Sequence, residues 1–335
     1  MTEKESGKRG SDLLRILPGI LVSLVALILI LIIVDWGELL EALRQAEYQY
    51  LLLGVPVYLV AYGFRALGWK TLLKDEVPFK DVFLTMQAGY LLNNVLPLRL
   101  GELGRGFILG RKGLGFWRVF STILVERALD MILAAGLLLG TLPFVFGASQ
   151  SSRVAYIVAG IVLVGMLVMH LLARYQDWAI ALYEKLSQKW SLLSRFGVER
   201  VQAFFAGLSA LVDLRRFIRV LSFMVISWGL TVVYHYIVLL AFDPESEFLW
   251  AGFGLATAAL GVAVPSSPSY VGVLEAVWIG SLSLFDVPFS TALAYALTVH
   301  LLHIIISCVF GITALAREGE SLGEIYAEIR ERRFS

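Results

Sequence analysis

The residues of this chain best placed to do chemistry are charged side chains in apolar surroundings. Val125-Glu-Arg-Ala-Leu-Asp130 lies inside a long apolar run that starts near Trp117. An ionised group at the centre of a bilayer costs roughly 2.5–3.5 kcal/mol on insertion scales, so such groups face a partner or a cavity. Glu126 and Asp130 share a helix face at i, i+4, and Arg127 points to one side of them. One reading is a polar cavity wall in which Arg127 meets a phosphate. The other is an internal ion pair that locks this segment to Arg65 or Arg99.

Two further groups sit at proline breaks in apolar stretches. The first break reads Asn93-Asn-Val-Leu-Pro-Leu-Arg-Leu-Gly-Glu-Leu-Gly-Arg105 and the second Pro265-Ser-Ser-Pro-Ser-Tyr-Val-Gly-Val-Leu-Glu275. Both contain Pro-x-x-x-Gly (Pro97 to Gly101, Pro268 to Gly272), followed closely by Glu102 or Glu275. Proline favours a helix start, so a new half-helix is expected from Leu98. Its free N–H groups and positive dipole end, with Arg99, Glu102 and Arg105 at i, i+3 spacing, suit a phosphate. Asn93 and Asn94 are placed to satisfy backbone freed by the break. A basic loop is the competing reading. At the second break Ser266, Ser267, Ser269 and Tyr270 offer neutral donors ahead of another half-helix. Glu275 binds a cation or proton there, or pairs with an arginine. His300 and His303, at i, i+3, either relay protons or make interhelical hydrogen bonds.

The elements that position these groups follow from composition. Apolar residues make up 58% of the 335 and charged residues 16%, against roughly 25% charged in soluble domains. The chain reads as an all-α polytopic membrane protein. Full spans fall near 14–35, 49–72, 116–143, 153–174, 218–241 and 287–314. The broken segments, 80–112 and 247–285, read as re-entrant pairs of half-helices, giving eight membrane segments; two full crossings each is the alternative. The first span has no A-x-A-like cleavage site and is expected to be retained. All 28 Lys and Arg except Arg44, Arg153, Arg65 and Arg127 then fall on one side, the cytoplasmic one by the positive-inside rule, with both termini. Segments 14–143 and 153–314 thus form an inverted-topology repeat within a single membrane domain, and paired interrupted segments point to a transport site. Residues 175–217 read either as amphipathic helix at the cytoplasmic interface or as a helical linker packed on the bundle, and 315–335 as a cytoplasmic tail. The single cysteine, Cys308, rules out an internal disulfide; no zinc-type cluster, P-loop or ATPase motif occurs, and neither cofactor nor nucleic acid is expected.

Asn94-x-x-Pro97-x-Arg99-x-Gly101-Glu102-x-x-Arg105, Glu126-Arg127-x-x-Asp130 and Pro265-x-x-Pro268-x-x-x-Gly272-x-x-Glu275 together resemble one family. It is the flippase-like membrane domain that forms the transmembrane region of lysylphosphatidylglycerol synthases. Arg65-Ala-Leu-Gly-Trp69-Lys-Thr-Leu-Leu73 looks like its second-span pattern. The resemblance implies a lipid translocase of the cytoplasmic membrane, and no enzyme, since the family's soluble synthase domain is expected to be absent here. Members are associated with aminoacylated phospholipids, hopanoids or polyprenyl-linked glycolipids. The family usually has Pro-Gly-Gly at the second break; Pro268-Ser269-Tyr270 departs from it and implies a differently shaped headgroup site. A membrane-embedded headgroup enzyme and an accessory subunit of a lipid-modifying enzyme are the competing functions.

Overall fold

The computed structural model describes residues 21–96, 100–146, 170–188, 197–262 and 267–319, with isolated positions 156, 157, 160, 164, 165, 167, 168, 190 and 323. Ten of the 22 residues of the span expected at 153–174 lie outside the described residues, as do most of the tail and Pro97, Leu98, Arg99, Pro265 and Ser266. Among the described residues there is helix and no strand.

The helices are α1 (Leu21–Ile33), α2 (Trp36–Gln45), α3 (Gln49–Leu72), α4 (Phe79–Val95), α5 (Gly101–Leu109), α6 (Phe116–Phe146), α7 (Gln176–Ser187), α8 (Val198–Leu208), α9 (Leu214–Leu240), α10 (Phe248–Gly261), α11 (Val273–Leu282) and α12 (Phe289–Glu318). Five helical stretches, α3, α6, α9, Pro268–Phe285 and α12, are long and apolar enough to cross a membrane. The chain is an all-α, multi-pass membrane protein. α1 and α2 meet at 89°. Asp35 makes that corner: its Oδ1 accepts from the N–H groups of Gly37 (2.8 Å) and Glu38 (3.1 Å), so a new helix starts.

Two ends of the molecule differ in charge. At one end Arg118 pairs with Glu76 (2.5 Å), Lys70 and Arg219 with Asp75, and Lys112 with Glu318 (2.6 Å). These contacts gather the C-termini of α3 and α12 and the N-termini of α6 and α9. At the other end Ser290 donates to Glu38 (3.0 Å), and the Glu47 N–H bonds the Ala241 carbonyl (2.9 Å). α3 and α9 run antiparallel between the ends, with Gly54 against Val238 and Gly68 against Met224.

Each proline-broken segment folds back on itself. In the first, Gly89 of α4 lies against Arg105 and Gly101 of α5, and Asn93 lies against Gly101. Residues equidistant from Pro97 therefore meet, which defines a hairpin. Lys112, 3.5 Å from Asp81, closes its open side at the basic end. In the second, Thr257 of α10 bonds Ser281 of α11 (2.6 Å) and Gly254 lies against Trp278. Trp250 stacks on Phe285 (5.2 Å), closing this hairpin at the acidic end. The open sides of the two hairpins thus lie at opposite ends of the molecule. Close approach is built on missing side chains: a Cβ on Gly101 would sit 2.0 Å from the Gly89 carbonyl oxygen.

The segment between α6 and α9 is divided. α8 packs on α6, with Phe205 and Leu208 buried and Gly207 seated on Ser121. α7 buries no residue and exposes Trp178, Leu182 and Leu186. α8 thus packs on the bundle, whereas α7 leaves an apolar face exposed.

Candidate functional site

Three guanidiniums, one each from α3, α5 and α6, converge on two carboxylates of α6. Glu126 is fully buried and shared: Arg65 Nε donates to its Oε1 (3.0 Å), Arg105 to its Oε2, and Arg127 reaches Oε1 (3.2 Å). Arg65 also binds Asp130, which accepts from Trp228 Nε1 (3.1 Å) and lies 3.5 Å from Arg127. Arg105, 2% exposed, lies over the Trp69 ring with its Cζ 3.9 Å from the centroid, a cation–π contact. Three guanidiniums against two carboxylates leave one positive charge uncompensated. That charge has an outlet. The Arg127 side chain is 36% exposed, whereas that of Glu126 shows none. The Nε atoms of Arg105 and Arg127 are buried without partners among the described residues. Buried donors without acceptors cost free energy, which an arriving anion recovers.

At the centre of the molecule the two hairpin tips touch. Ser269 Oγ donates to Asn94 Oδ1 (3.3 Å), while Asn94 Nδ2 donates to Ser307 Oγ on α12 (2.7 Å). Asn93 Oδ1 accepts from the Gly101 N–H (2.8 Å), capping α5 across the break. Ser269 Oγ also meets His300 Nε2 (2.9 Å), whose Nδ1 lies 2.5 Å from Glu275 Oε1. The other oxygen of Glu275 accepts from the Gly272 N–H (2.7 Å). Ser269 and Tyr270 hold φ of 58° and 63°, and Gly272 holds 84°. Left-handed backbone costs a non-glycine residue about 1–2 kcal/mol. The tip is strained at the two positions where the family resemblance leads one to expect glycine.

Beside the tips lies a cavity of about 230 Å³ between the second hairpin, α3, α9 and α12. Its walls include Tyr58, Tyr62, Tyr234, His235, Trp278 and His303. Tyr58 O–H and His303 Nδ1 are 2.7 Å apart, and Tyr295 O–H and His235 Nδ1 2.8 Å. Tyr58, Tyr62, Arg65 and Trp69 follow one face of α3 at i, i+4, i+7 and i+11. One stripe thus leads from the cavity to the arginine cluster.

Several expectations hold and others change. Arg65, Arg105, Arg127, Glu126 and Asp130 do come together, and Arg65 is the partner of both carboxylates. Asn94, Ser269, Glu275 and His300 form a second cluster. Among the described residues the half-helix begins at Gly101, with Glu102 in its first turn, and the start expected at Leu98 lies outside them. Glu275 pairs with His300 and not with an arginine, because α11 faces α12 and the arginines stand on α3, α5 and α6. Its carboxylate occupies the N-terminus of α11, so that terminus is not free for an anion. His300 and His303 serve different partners. Arg99 and Ser266 lie outside the described residues; Ser267 caps the turn, its N–H donating to Ser23 Oγ (2.9 Å). The aromatic cavity is missing from the sequence reading, although the Tyr58–Tyr62–Arg65–Trp69 face was a visible signal.

The family described as the lysylphosphatidylglycerol synthase TM region matches residues 16–311. A UPF0104 membrane protein of Methanothermobacter thermautotrophicus is 22% identical over 91% of this chain and 96% of its own length. A UPF0104 membrane protein of Pyrococcus horikoshii is 26% identical over 42% of this chain and 44% of its own. The glycosyltransferase AglD of Haloferax volcanii is 25% identical over 36% of this chain, a stretch that makes up 20% of AglD. With the family match running through both hairpins and the arginine cluster, the chain belongs to the lysylphosphatidylglycerol synthase transmembrane-region family.

Proposed function

We propose that this protein is a lipid transporter that carries a phosphate-bearing lipid across the cytoplasmic membrane. One observation carries the reading: two hairpins with their open sides at opposite ends of the molecule meet tip to tip beside a buried cluster with an excess guanidinium. Irregular backbone at membrane depth is tolerated only inside protein or along a wet cavity, and paired breaks of this kind mark transport sites. In this reading the hairpins are re-entrant and the halves 14–143 and 153–314 form an inverted repeat of one domain. The basic end, with both termini, faces the cytoplasm. The phosphate binds Arg127 and Arg105, with Arg99 and Glu102 at the approach. Asn94, Ser266, Ser267, Ser269 and Tyr270 contact the headgroup, and the acyl chains stay in the bilayer. Rocking of one hairpin against the other opens the site to each side in turn.

The carboxylates of Glu126 and Asp130 are engaged by arginines, which favours binding over hydrolysis. Polyprenyl-linked lipids are substrates beside phospholipids in this reading, and the similarity to part of a glycosyltransferase favours a lipid-modifying enzyme as partner. The test is transbilayer movement of labelled lipids in liposomes holding the purified protein. Arg127→Ala is expected to slow movement of phosphate lipids at least tenfold. Unchanged movement in that variant would remove the arginine cluster from the pathway; no movement by the parent protein would favour the accessory role.

A further inference from the structure

Taking that transport reading as its basis, we infer that the aromatic cavity beside the hairpin tips receives a neutral, hydroxyl-bearing headgroup, glycerol or sugar, while the arginine cluster holds the phosphate. The cavity's chemistry selects for hydroxyls. Among the described residues no Asp, Glu, Lys or Arg lines it. Its polar edges are ring nitrogens and hydroxyls. His235 and His303 each spend Nδ1 on a tyrosine hydroxyl, and neither Nε2 has a partner among the described residues. In a neutral imidazole Nε2 is a donor or an acceptor, depending on the tautomer that the tyrosine sets. A hydroxyl, which both donates and accepts, pairs with either. An ammonium only donates and a phosphate only accepts, so each fits one tautomer alone.

Charge argues the same way. A cation in this cavity has no carboxylate to pair with: Glu275 is committed to His300 and the Gly272 N–H. It also lies close to a cluster that already carries excess positive charge. Aromatic faces attract cations, but several rings here are occupied with one another, Tyr58 stacking on Tyr62 at 4.2 Å and Trp278 meeting Tyr295 edge-on at 5.0 Å. Cation–π attraction then has to offset both desolvation and repulsion from the arginines. A neutral polyol meets neither cost. The geometry links the two subsites: Tyr58 and Arg65 are seven residues apart on one face of α3, about 10 Å along the helix. That separation suits a phosphate with one glycerol or sugar beyond it.

Binding of defined lipids to the purified full chain in detergent tests this. The probes are phosphatidic acid, phosphatidylglycerol, phosphatidylethanolamine, phosphatidylcholine and a glucosylated polyprenyl phosphate. Phosphatidylglycerol, the glucosylated lipid or both are expected to bind about fivefold or more tightly than the two amine lipids. Which of them binds tells glycerol from sugar. His235→Asn and His303→Asn keep a polar atom near the Nδ1 position and delete Nε2. They are expected to abolish that preference and leave phosphatidic acid unaffected. His→Gln at the same positions is expected to restore part of it. Equal or tighter binding of the amine lipids by the parent protein overturns the cavity assignment while leaving the phosphate site standing. A parent protein that binds no phosphate lipid overturns both.

Discussion

The two hairpins share a design and differ in what their tips carry. Each is an apolar helix, a proline break and a short return helix, held by contact across glycine. The first is bound into the molecule by charge: Arg105 of its return helix reaches Glu126 on α6, and Glu126 in turn holds Arg65 on α3. The second is held within itself by Thr257 on Ser281 and by Glu275 on its own helix start, and is tied to α12 through His300, which meets both Ser269 and Glu275. Similar motifs, Pro-x-x-x-Gly followed by glutamate, therefore do different work. Glu102 lies in the first turn of α5 and stays half-buried. Glu275 is buried and accepts from the Gly272 N–H at the start of its own helix. The spacing makes the turn; the neighbours decide the chemistry.

Breaking the charged side should cost most. Glu126→Ala removes the acceptor shared by three guanidiniums and leaves Arg105 buried without a counter-charge. Loss of one partner of a buried ion pair costs about 3–5 kcal/mol. A large fall in unfolding midpoint in detergent is expected, and a midpoint equal to the parent's would show that the arginines find other partners. The glycine contacts give the next contrast. Gly101→Ala drives a Cβ toward the Gly89 carbonyl oxygen, whereas Gly261→Ala meets the Val277 side chain at 2.7 Å, which can rotate away. Losses of about 3 and about 1 kcal/mol are expected from overpacking. Denaturation curves that reverse this order would contradict the tighter first hairpin.

Glu275 separates capping from charge. Glu275→Ala strands the Gly272 N–H and is expected to lose about 1–3 kcal/mol. Glu275→Gln keeps an acceptor and should lose less; equal losses would mean that the charge beside His300, not the cap, is what stabilises α11. The smallest effect belongs to the basic end. The hydrogen bond and charge of Arg118 hold the Glu76 carboxyl below the usual glutamate range. A depressed acid stabilises the fold above its unfolded value, about 4.3, and that contribution fades as pH falls through its folded value. The pair is surface-exposed, so it contributes about 1 kcal/mol at most. Glu76→Gln should flatten the fall of the unfolding midpoint below pH 4.5 slightly, and an unaltered profile would show that the pair contributes nothing.

Much of this was legible in the sequence. The spans at 49–72, 116–143, 218–241 and 287–314 follow from apolar length alone, and α3, α6, α9 and α12 occupy them within a few residues at each end. The breaks were visible as prolines. Charge in an apolar helix pointed to Glu126, Arg127 and Asp130, with Arg65 or Arg99 as partner, and the structure shows Arg65 there. The link from Arg105 to Glu126 was not legible, because it exists only once α5 folds back on α4. Glu275 and His300, 25 residues apart, meet only once α11 packs against α12. The Asn93 bond to the Gly101 N–H was foreseen only as a general role of the two asparagines, since its partner is fixed by how α5 folds back on α4. The cavity escaped because tyrosine and histidine scattered over α3, α9 and α12 look like ordinary packing until the helices are assembled.

The central claim is that the two hairpin tips part during transport, and a cross-link between them tests it. With Cys308 replaced by serine, cysteines at Asn94 and Ser269 would be joined by a short bifunctional thiol reagent that a reductant cleaves, and lipid movement followed in liposomes. Joining the tips is expected to stop movement, and cleavage to restore it. Movement that continues at the parent rate with the tips fully joined would contradict the account.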